Sequence, residues 1–321
     1  MKKRFRDLLK IPQEYKLSIL VVLVITLVGL VLNYFVGGIE FSTYKNPINF
    51  LIVGLLLVCI VAFSFFRKYR IYKWFTGVPL TVVLLITFLI YGLFIGLIPQ
   101  IIDADRGLHT FFDFQQVKKS WSFVLLYILL LLSLGTLILR RLISFKKSDY
   151  AFYLNHIGIW LILASLAIEA TDSKLYMMPV KKGDTEWRVY EKDNTLTELP
   201  IAVNIKDIQL QLYENNQSIK DSPNSTKESH AVERIAVNTT VYTKDGGEEN
   251  AVIEVNKPLL IKNWFIYLDS YDTGSGNSPT YCTMMLIYNP WYIPLYWGIA
   301  LALTGALCML GKANSNKRIK L

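Results

Sequence analysis

Three histidines and three cysteines are the residues of this sequence with the most versatile chemistry. His156 lies within YLNHIGIWLILASLAIEA, an apolar run over residues 153–170. A polar side chain in a membrane span normally faces the interior of the helix bundle and marks a functional site. An imidazole placed there can hydrogen-bond across the bundle or coordinate a metal ion, and the residues alone leave both interpretations open.

The remaining candidates carry weaker signals. His109 lies in DRGLHTFFDFQQ and His230 in KESHAVER, both polar enough to be solvated loops. The cysteines are Cys59, Cys282 and Cys308, and the sequence contains no C-x-x-C and no C-x-x-C-H. This excludes a thioredoxin-like dithiol and a covalent haem attachment site. We predict that the cysteines act as small buried hydrophobic residues.

Familiar enzyme motifs do not occur. There is no glycine-rich phosphate loop, no H-E-x-x-H and no paired-carboxylate arrangement. These patterns are the sequence signatures of nucleotide and metalloprotease sites, so the sequence does not indicate a self-contained kinase or hydrolase.

The histidines and cysteines must be positioned by the long apolar segments of the chain. The chain of 321 residues is 53% hydrophobic, with a mean hydropathy of +0.35. A membrane-crossing helix needs about 20 predominantly apolar residues. The first apolar run is longer than the roughly 7–15 residues of a signal-peptide core, so we predict that it is a retained span. Six spans are predicted: 17–36, 48–66, 78–98, 122–139, 151–170 and 290–310.

The basic residues indicate the orientation of these spans. The formal net charge is +9, and 18 of the 34 Lys and Arg residues lie in the segments 1–16, 67–73, 140–147 and 312–320. Cytoplasmic loops carry the excess of Lys and Arg. Both termini are therefore predicted to be cytoplasmic. Because the basic residues sit at membrane-facing ends, the charge does not indicate nucleic-acid binding.

Residues 171–289 differ in character from the spans. They hold 12 basic and 17 acidic residues, a net charge of −5. The stretch LPIAVNIKDIQLQLY alternates in hydrophobicity with a phase slip near Lys206 and Asp207, which predicts a β-bulge. KDGGEE predicts a hairpin turn, with Asp245 and Gly246 at positive φ.

We accordingly predict three parts. A five-helix membrane region covers residues 1–170, an extracytoplasmic β-rich domain covers 171–289, and the sixth helix with a basic tail covers 290–321. The domain is predicted to be a β-sandwich or open barrel of about 7–9 strands, since its alternating runs are short and separated by turn residues. Residues 214–229 are polar and predict a long exposed loop.

Two stretches near the end of the chain carry a shared pattern, VNKPLLIKNWFIYLDSYD and YNPWYIPLYWGIALALTGALCM. In this pattern the chain resembles the ResB family, the membrane subunit of system II cytochrome c maturation. Asn263, Leu268 and Asn289 replace the glycine, glutamine and aspartate usual in that family. The matching positions are Val255, Asn256, Pro258, Leu259, Ile266, Tyr267, Ser270, Tyr271, Pro290, Tyr296 and Gly298.

The resemblance implies a function. Such proteins lie in the bacterial cytoplasmic membrane and work with a ResC/CcsA-type partner that carries a Trp-rich haem-handling motif. Together they bring reduced haem to the outer face and attach it to the C-x-x-C-H of an apocytochrome c. This sequence lacks the Trp-rich motif. It is therefore expected to be a non-catalytic or co-catalytic subunit of a cytochrome c synthase, with a thiol reductant protein as a further partner.

The resemblance also implies roles for two histidines. His156 is the candidate axial ligand of haem iron, and His109 is a weaker candidate for passing haem. No other metal is expected, and a second axial ligand would come from the partner protein. The rival interpretations are a membrane scaffold or sensor whose outer β-domain binds another protein, and a transporter subunit. The transporter is disfavoured because the spans hold few ionisable residues and no inverted repeat is evident.

Overall fold

The computed structural model describes residues 12–100, 115–190, 195–212, 232–272 and 279–318. The chain divides into two compact units. The helical unit comprises Met1–Asp172 with Trp291–Leu321, and the β unit comprises Ser173–Pro290. The first unit is helical and the second is built from β-strands.

The helical unit contains seven α-helices among the described residues, and its helix ends carry recognisable local signals. Pro79 stands in the first turn of the helix Val78–Leu97, where its missing N–H costs nothing. The Ser120 hydroxyl accepts a hydrogen bond from the Phe123 N–H and caps the helix Trp121–Ile143. The helices are α1 (Gln13–Val36), α2 (Ile48–Ser64), α3 (Arg70–Phe75), α4 (Val78–Leu97), α5 (Trp121–Ile143), α6 (Tyr150–Asp172) and α7 (Tyr292–Arg318).

Five helices of the described chain are long and apolar enough to cross a membrane, and they indicate a membrane protein. These are α1, α4, α5, α6 and α7. The β unit lies in sequence between the last two of them. The predicted span 48–66 is an apolar helix of 17 residues, α2. At about 1.5 Å per residue its length falls short of the roughly 30 Å hydrocarbon core, so the count of six spans is not confirmed.

The packing of the helical unit centres on α5. Leu126 on one face of α5 is buried against Val22 of α1 and Leu84 of α4. Leu131, nearly a turn and a half further along, packs with Ile60 of α2 and Ala164 of α6. The α5 helix therefore contacts partners on two sides, while α1 leaves most of its apolar side chains exposed.

The β unit is a sandwich of two four-stranded antiparallel sheets, in the orders β1-β8-β7-β6 and β2-β3-β4-β5. One hydrophobic core, with Met178, Val203, Val237, Ile266 and Met284 fully buried, joins their inner faces. The strands are β1 (Lys174–Lys181), β2 (Thr185–Tyr190), β3 (Leu196–Leu212), β4 (Val232–Thr243), β5 (Glu248–Glu254), β6 (Leu259–Ile261), β7 (Trp264–Tyr271) and β8 (Tyr281–Tyr288).

The structure has the predicted bulge and the predicted hairpin turn, but it differs from the prediction in the backbone conformation of one turn residue. The register of β3 on β4 shifts between Ile205 and Asp207, which is the predicted bulge. Residues 244–247 join β4 to β5 in the predicted hairpin. Only Gly246 takes a positive φ there, at 82°, so the expectation for Asp245 was wrong. A single glycine suffices because the loop closes over four residues rather than two. The predicted loop 214–229 lies outside the described residues.

Candidate functional site

His156 lies about one and a half turns inside α6, on a helix whose apolar residues occur on every side. Its side chain is half-buried. The Nδ1 atom lies 3.0 Å from the Phe152 carbonyl oxygen, one turn earlier in the same helix. Because a carbonyl oxygen only accepts, Nδ1 carries the proton in a neutral imidazole. The lone pair is then on Nε2, the nitrogen that is left for a ligand.

The Phe152 side chain completes this arrangement. Its ring stacks on the imidazole with a centroid separation of 3.8 Å and an interplanar angle of 27°. The Arg141 guanidinium carbon lies 5.0 Å from the centroid of the same phenyl ring. Phe152 thus contacts His156 through both its backbone and its side chain, and the imidazole orientation is fixed without a bond to another helix.

Asn155 makes the polar contact across the bundle that was considered for His156. Its Nδ2 donates to the Ala302 carbonyl oxygen of α7 at 3.0 Å. No role for Asn155 was predicted from the sequence. Two features of the sequence could have predicted this contact. An amide side chain lies beside His156 in one apolar segment, and the small residues Gly298 and Gly305 are spaced along another.

Close backbone approach makes that contact possible. A Cβ atom at Gly305 would lie 2.7 Å from the Asn155 Cα, and one at Gly158 would lie 2.7 Å from the Gly298 carbonyl oxygen. Glycine at these positions lets α6 and α7 pack backbone to backbone, as small residues do in membrane helix pairs. The pairing is antiparallel, and Asp172 at the end of α6 accepts a 2.9 Å hydrogen bond from the Trp291 indole.

The arrangement fits haem iron at His156. A neutral imidazole with its Nδ1–H on a backbone carbonyl and its Nε2 lone pair available is a standard axial donor. The described residues contain no group of three or more His, Cys, Asp or Glu side chains that could hold another metal ion. His109 and His230 lie outside the described residues.

The residues of the predicted family motif fall at several places in the β unit. Asn256 has φ 64°, the left-handed conformation that asparagine tolerates well, in the turn before β6. Pro258 is exposed in the same connection. The register of β7 on β8 shifts between Leu268 and Ser270. Because of this bulge, Tyr271 packs against the core.

Tyr267 and Ser270 lie on the face of the β1-β8-β7-β6 sheet that points away from the sandwich core. Tyr267 alternates with the buried Ile266 and Leu268, and Ser270 is exposed opposite Thr283. The motif residues therefore shape a turn, a bulge and two sheet faces rather than one catalytic cluster. Asn256 thus supplies the backbone conformation of a turn, and Tyr271 packs against the core.

The cysteines match the expectation of buried hydrophobic residues only in part. Cys282 is fully buried in the sandwich core and Cys308 is half-buried. Cys59 is exposed on α2, since an apolar helix surface of this unit is not covered by protein. No two of them form a disulfide.

We predict that Cys282 resists alkylation while the β unit is folded. Burial raises the pKa of its thiol from 9.0 to about 11. The reactive thiolate fraction at pH 8 is then lower by about a hundredfold, and the side chain is also inaccessible. Mass spectrometry after pulse labelling with iodoacetamide measures the rate at each site. Denaturant should restore labelling of Cys282, and rapid labelling of the native protein would contradict its burial.

The comparison with protein-family models agrees with the resemblance. Residues 147–286 match the model of the ResB-like family, which confirms the prediction for the segment containing α6 and most of the β unit. No curated protein matches the chain significantly. A solved structure titled Cytochrome c Heme Lyase CcmF is 13% identical, with a TM-score of 0.34. That match covers 58% of this chain and 29% of the other, and at this TM-score it supports no further conclusion.

Proposed function

We propose that this chain, whose residues 147–286 match the ResB-like family, takes part in cytochrome c maturation as a haem-handling membrane subunit. Haem is its cargo, and the acceptor is an apocytochrome c. The observation that carries the proposal is the state of His156, whose Nδ1 is held by the Phe152 carbonyl while Nε2 is left for iron.

The role of His156 follows from an imidazole whose Nδ1–H is hydrogen-bonded and whose Nε2 carries the lone pair. A neutral imidazole in hydrocarbon costs free energy unless it has a partner, and iron is a strong one. Haem supplies an iron with axial positions that imidazole can fill. His156 binds the iron, Phe152 holds the imidazole in one tautomer and orientation, and Asn155 ties α6 to α7. The second axial ligand belongs to the partner.

The place of entry follows from the proposed orientation. This orientation takes α2 as a sixth span and places both termini in the cytoplasm. The first turn of α6 then lies at the cytoplasmic side of a bacterial inner membrane. His156 is roughly 9 Å along the helix from Tyr150, at 1.5 Å rise per residue. Haem in the inner leaflet can reach that depth. The β unit then lies outside the cytoplasm, where the apocytochrome is presented.

Dependence on a partner is the expected result of the main test. The chain has no Trp-rich motif and no C-x-x-C, so on its own it should bind haem without attaching it. Expressed in a host stripped of its own pathway, it should yield no haem-stained cytochrome c, and a ResC/CcsA-like protein should restore the product. Absorbance of the purified chain measures bound haem in the same preparations.

Two results would contradict the proposal. Cytochrome c maturation by this chain alone would overturn the division of labour with the partner. Absence of haem from the chain, both alone and with its partner, would overturn haem handling. The second result would favour the rival function.

That rival is a membrane scaffold whose β unit binds another protein, and one observation favours it. The outer face of the β1-β8-β7-β6 sheet is apolar along two cross-strand rows. Leu175 and Met177 on it are 58% and 43% exposed. Exposed apolar patches of this kind mark interaction surfaces. The rows are Leu175, Ile287, Phe265 and Leu260, and Met177, Met285 and Tyr267.

A further inference from the structure

We propose that the Arg141 guanidinium is the carboxylate-binding group of the His156 site and takes a propionate arm of haem. This inference rests on the proposed function, because it names how the cargo of that site is recognised. Haem joins an iron, which needs a ligand with a lone pair such as an imidazole, to two carboxylates, which need hydrogen-bond donors or cations. A site with only an imidazole would meet the first requirement and leave the second to water.

The geometry of the stack brings the two groups together. Phe152 contacts both, with the imidazole centroid 3.8 Å from its ring centroid and the Arg141 guanidinium carbon 5.0 Å from the same centroid. The guanidinium carbon is therefore no more than 8.8 Å from the imidazole, the sum of the two separations. Haem carries its carboxylates on flexible arms at the edge of its ring, so a guanidinium this close to the imidazole that ligates the iron is within the span of one haem.

The turn between α5 and α6 holds Arg141 in this position. The Tyr153 hydroxyl donates to the Arg141 carbonyl oxygen at 3.1 Å. The Tyr153 ring in turn stacks on Phe145 at 5.4 Å with an interplanar angle of 14°. Because Tyr153 is buried on the same helix as His156, the backbone of Arg141 has a fixed relation to the imidazole.

The guanidinium already binds a carboxylate and has donors to spare. Its Nη1 lies 3.2 Å from the Asp149 Oδ2, while 52% of the Arg141 side chain is exposed. Arg presents five N–H donors in a fork that suits carboxylates, and one ion pair leaves the others available. The Asp149 carboxylate then competes with a haem propionate for the Arg141 guanidinium.

The neighbouring cations are less suited to this role. Arg140 is turned to another partner, since its Nη1 donates to the Thr76 Oγ1 at 2.7 Å. Lys147 is exposed in the connecting turn. It offers a matched control for loss of one positive charge from the same segment without loss of the stack.

The test is a haem titration of the purified full-length chain, followed by absorbance, with haem and with haem dimethyl ester, whose carboxylates are blocked. Arg141→Gln should weaken haem binding about tenfold, the size of one lost hydrogen bond to a charged group. The ester should bind the wild type about tenfold more weakly than haem does. It should bind Arg141→Gln and the wild type equally.

Three controls complete the design. Lys147→Gln should bind haem as the wild type does. Asp149→Asn, which removes the competitor and leaves Arg141 intact, should tighten haem binding and leave ester binding unchanged. The absorbance signature of histidine ligation should persist in Arg141→Gln and be lost in His156→Ala.

Each alternative result has a clear meaning. Equal binding of haem and ester by the wild type, or an equal loss of both in Arg141→Gln, overturns the role of Arg141 while His156 ligation stands. Unchanged haem affinity in Asp149→Asn also overturns the role of Arg141. This variant remains a valid test even where Arg141→Gln fails to fold. Absence of haem binding by the wild type overturns the proposed function and this inference with it.

Discussion

His156→Ala should lower the haem retained by the purified complex by more than about tenfold, since even the outer-shell partners of metal ligands change affinity by 10–100-fold. The yield of cytochrome c should fall with it. The variant removes the Nε2 donor together with the bond to the Phe152 carbonyl. That bond lies within α6, so the protein level in the membrane should change little. Haem absorbance and haem staining of the cytochrome measure the two effects.

A second variant separates ligation from packing. His156→Gln keeps a side chain that can donate a hydrogen bond within α6, but it removes the imidazole lone pair. It should lose haem as alanine does while retaining wild-type stability. Added imidazole should partly restore haem retention in His156→Ala by filling the vacant axial position. Normal haem content and normal maturation in both variants would mean that the histidine serves only in packing.

Gly305→Leu should strongly destabilise the helical unit and reduce the amount of protein in the membrane. A Cβ at this position would lie 2.7 Å from the Asn155 Cα, so the two backbones must separate. Overpacking of this kind costs about 1–3 kcal/mol, and the bond from Asn155 to Ala302 would be lost as well. The melting temperature of the detergent-solubilised protein measures the effect.

The same helix offers a matched control. Gly311 is exposed on α7, and a Cβ there would have nothing within 4 Å. Gly311→Leu should therefore leave the melting temperature unchanged. Asn155→Ala, which removes the cross-bundle hydrogen bond without a clash, should cost about 0.6–1.7 kcal/mol. Equal stability of Gly305→Leu and Gly311→Leu would contradict the close pairing of α6 and α7.

The sequence by itself determined the five long apolar helices and the β-rich segment between the last two of them, because their signals are local. A long apolar run predicts a helix in hydrocarbon, since every backbone group must be satisfied within the segment. The alternation on both sides of Lys206 predicted the bulge in β3, where the phase of the buried residues changes. His156 could be selected in advance because a polar side chain stands out in an apolar run.

Only the tertiary structure decided which helix faces meet and which groups surround His156. In a soluble helix, the apolar side identifies the packed face. In α6 both the lipid-facing and the protein-facing sides are apolar, so this signal is missing. The cross-bundle bond of Asn155 therefore could not be distinguished from one of His156. Arg141 reaches Phe152 through a turn held by Tyr153, a contact between two helices that no periodicity encodes.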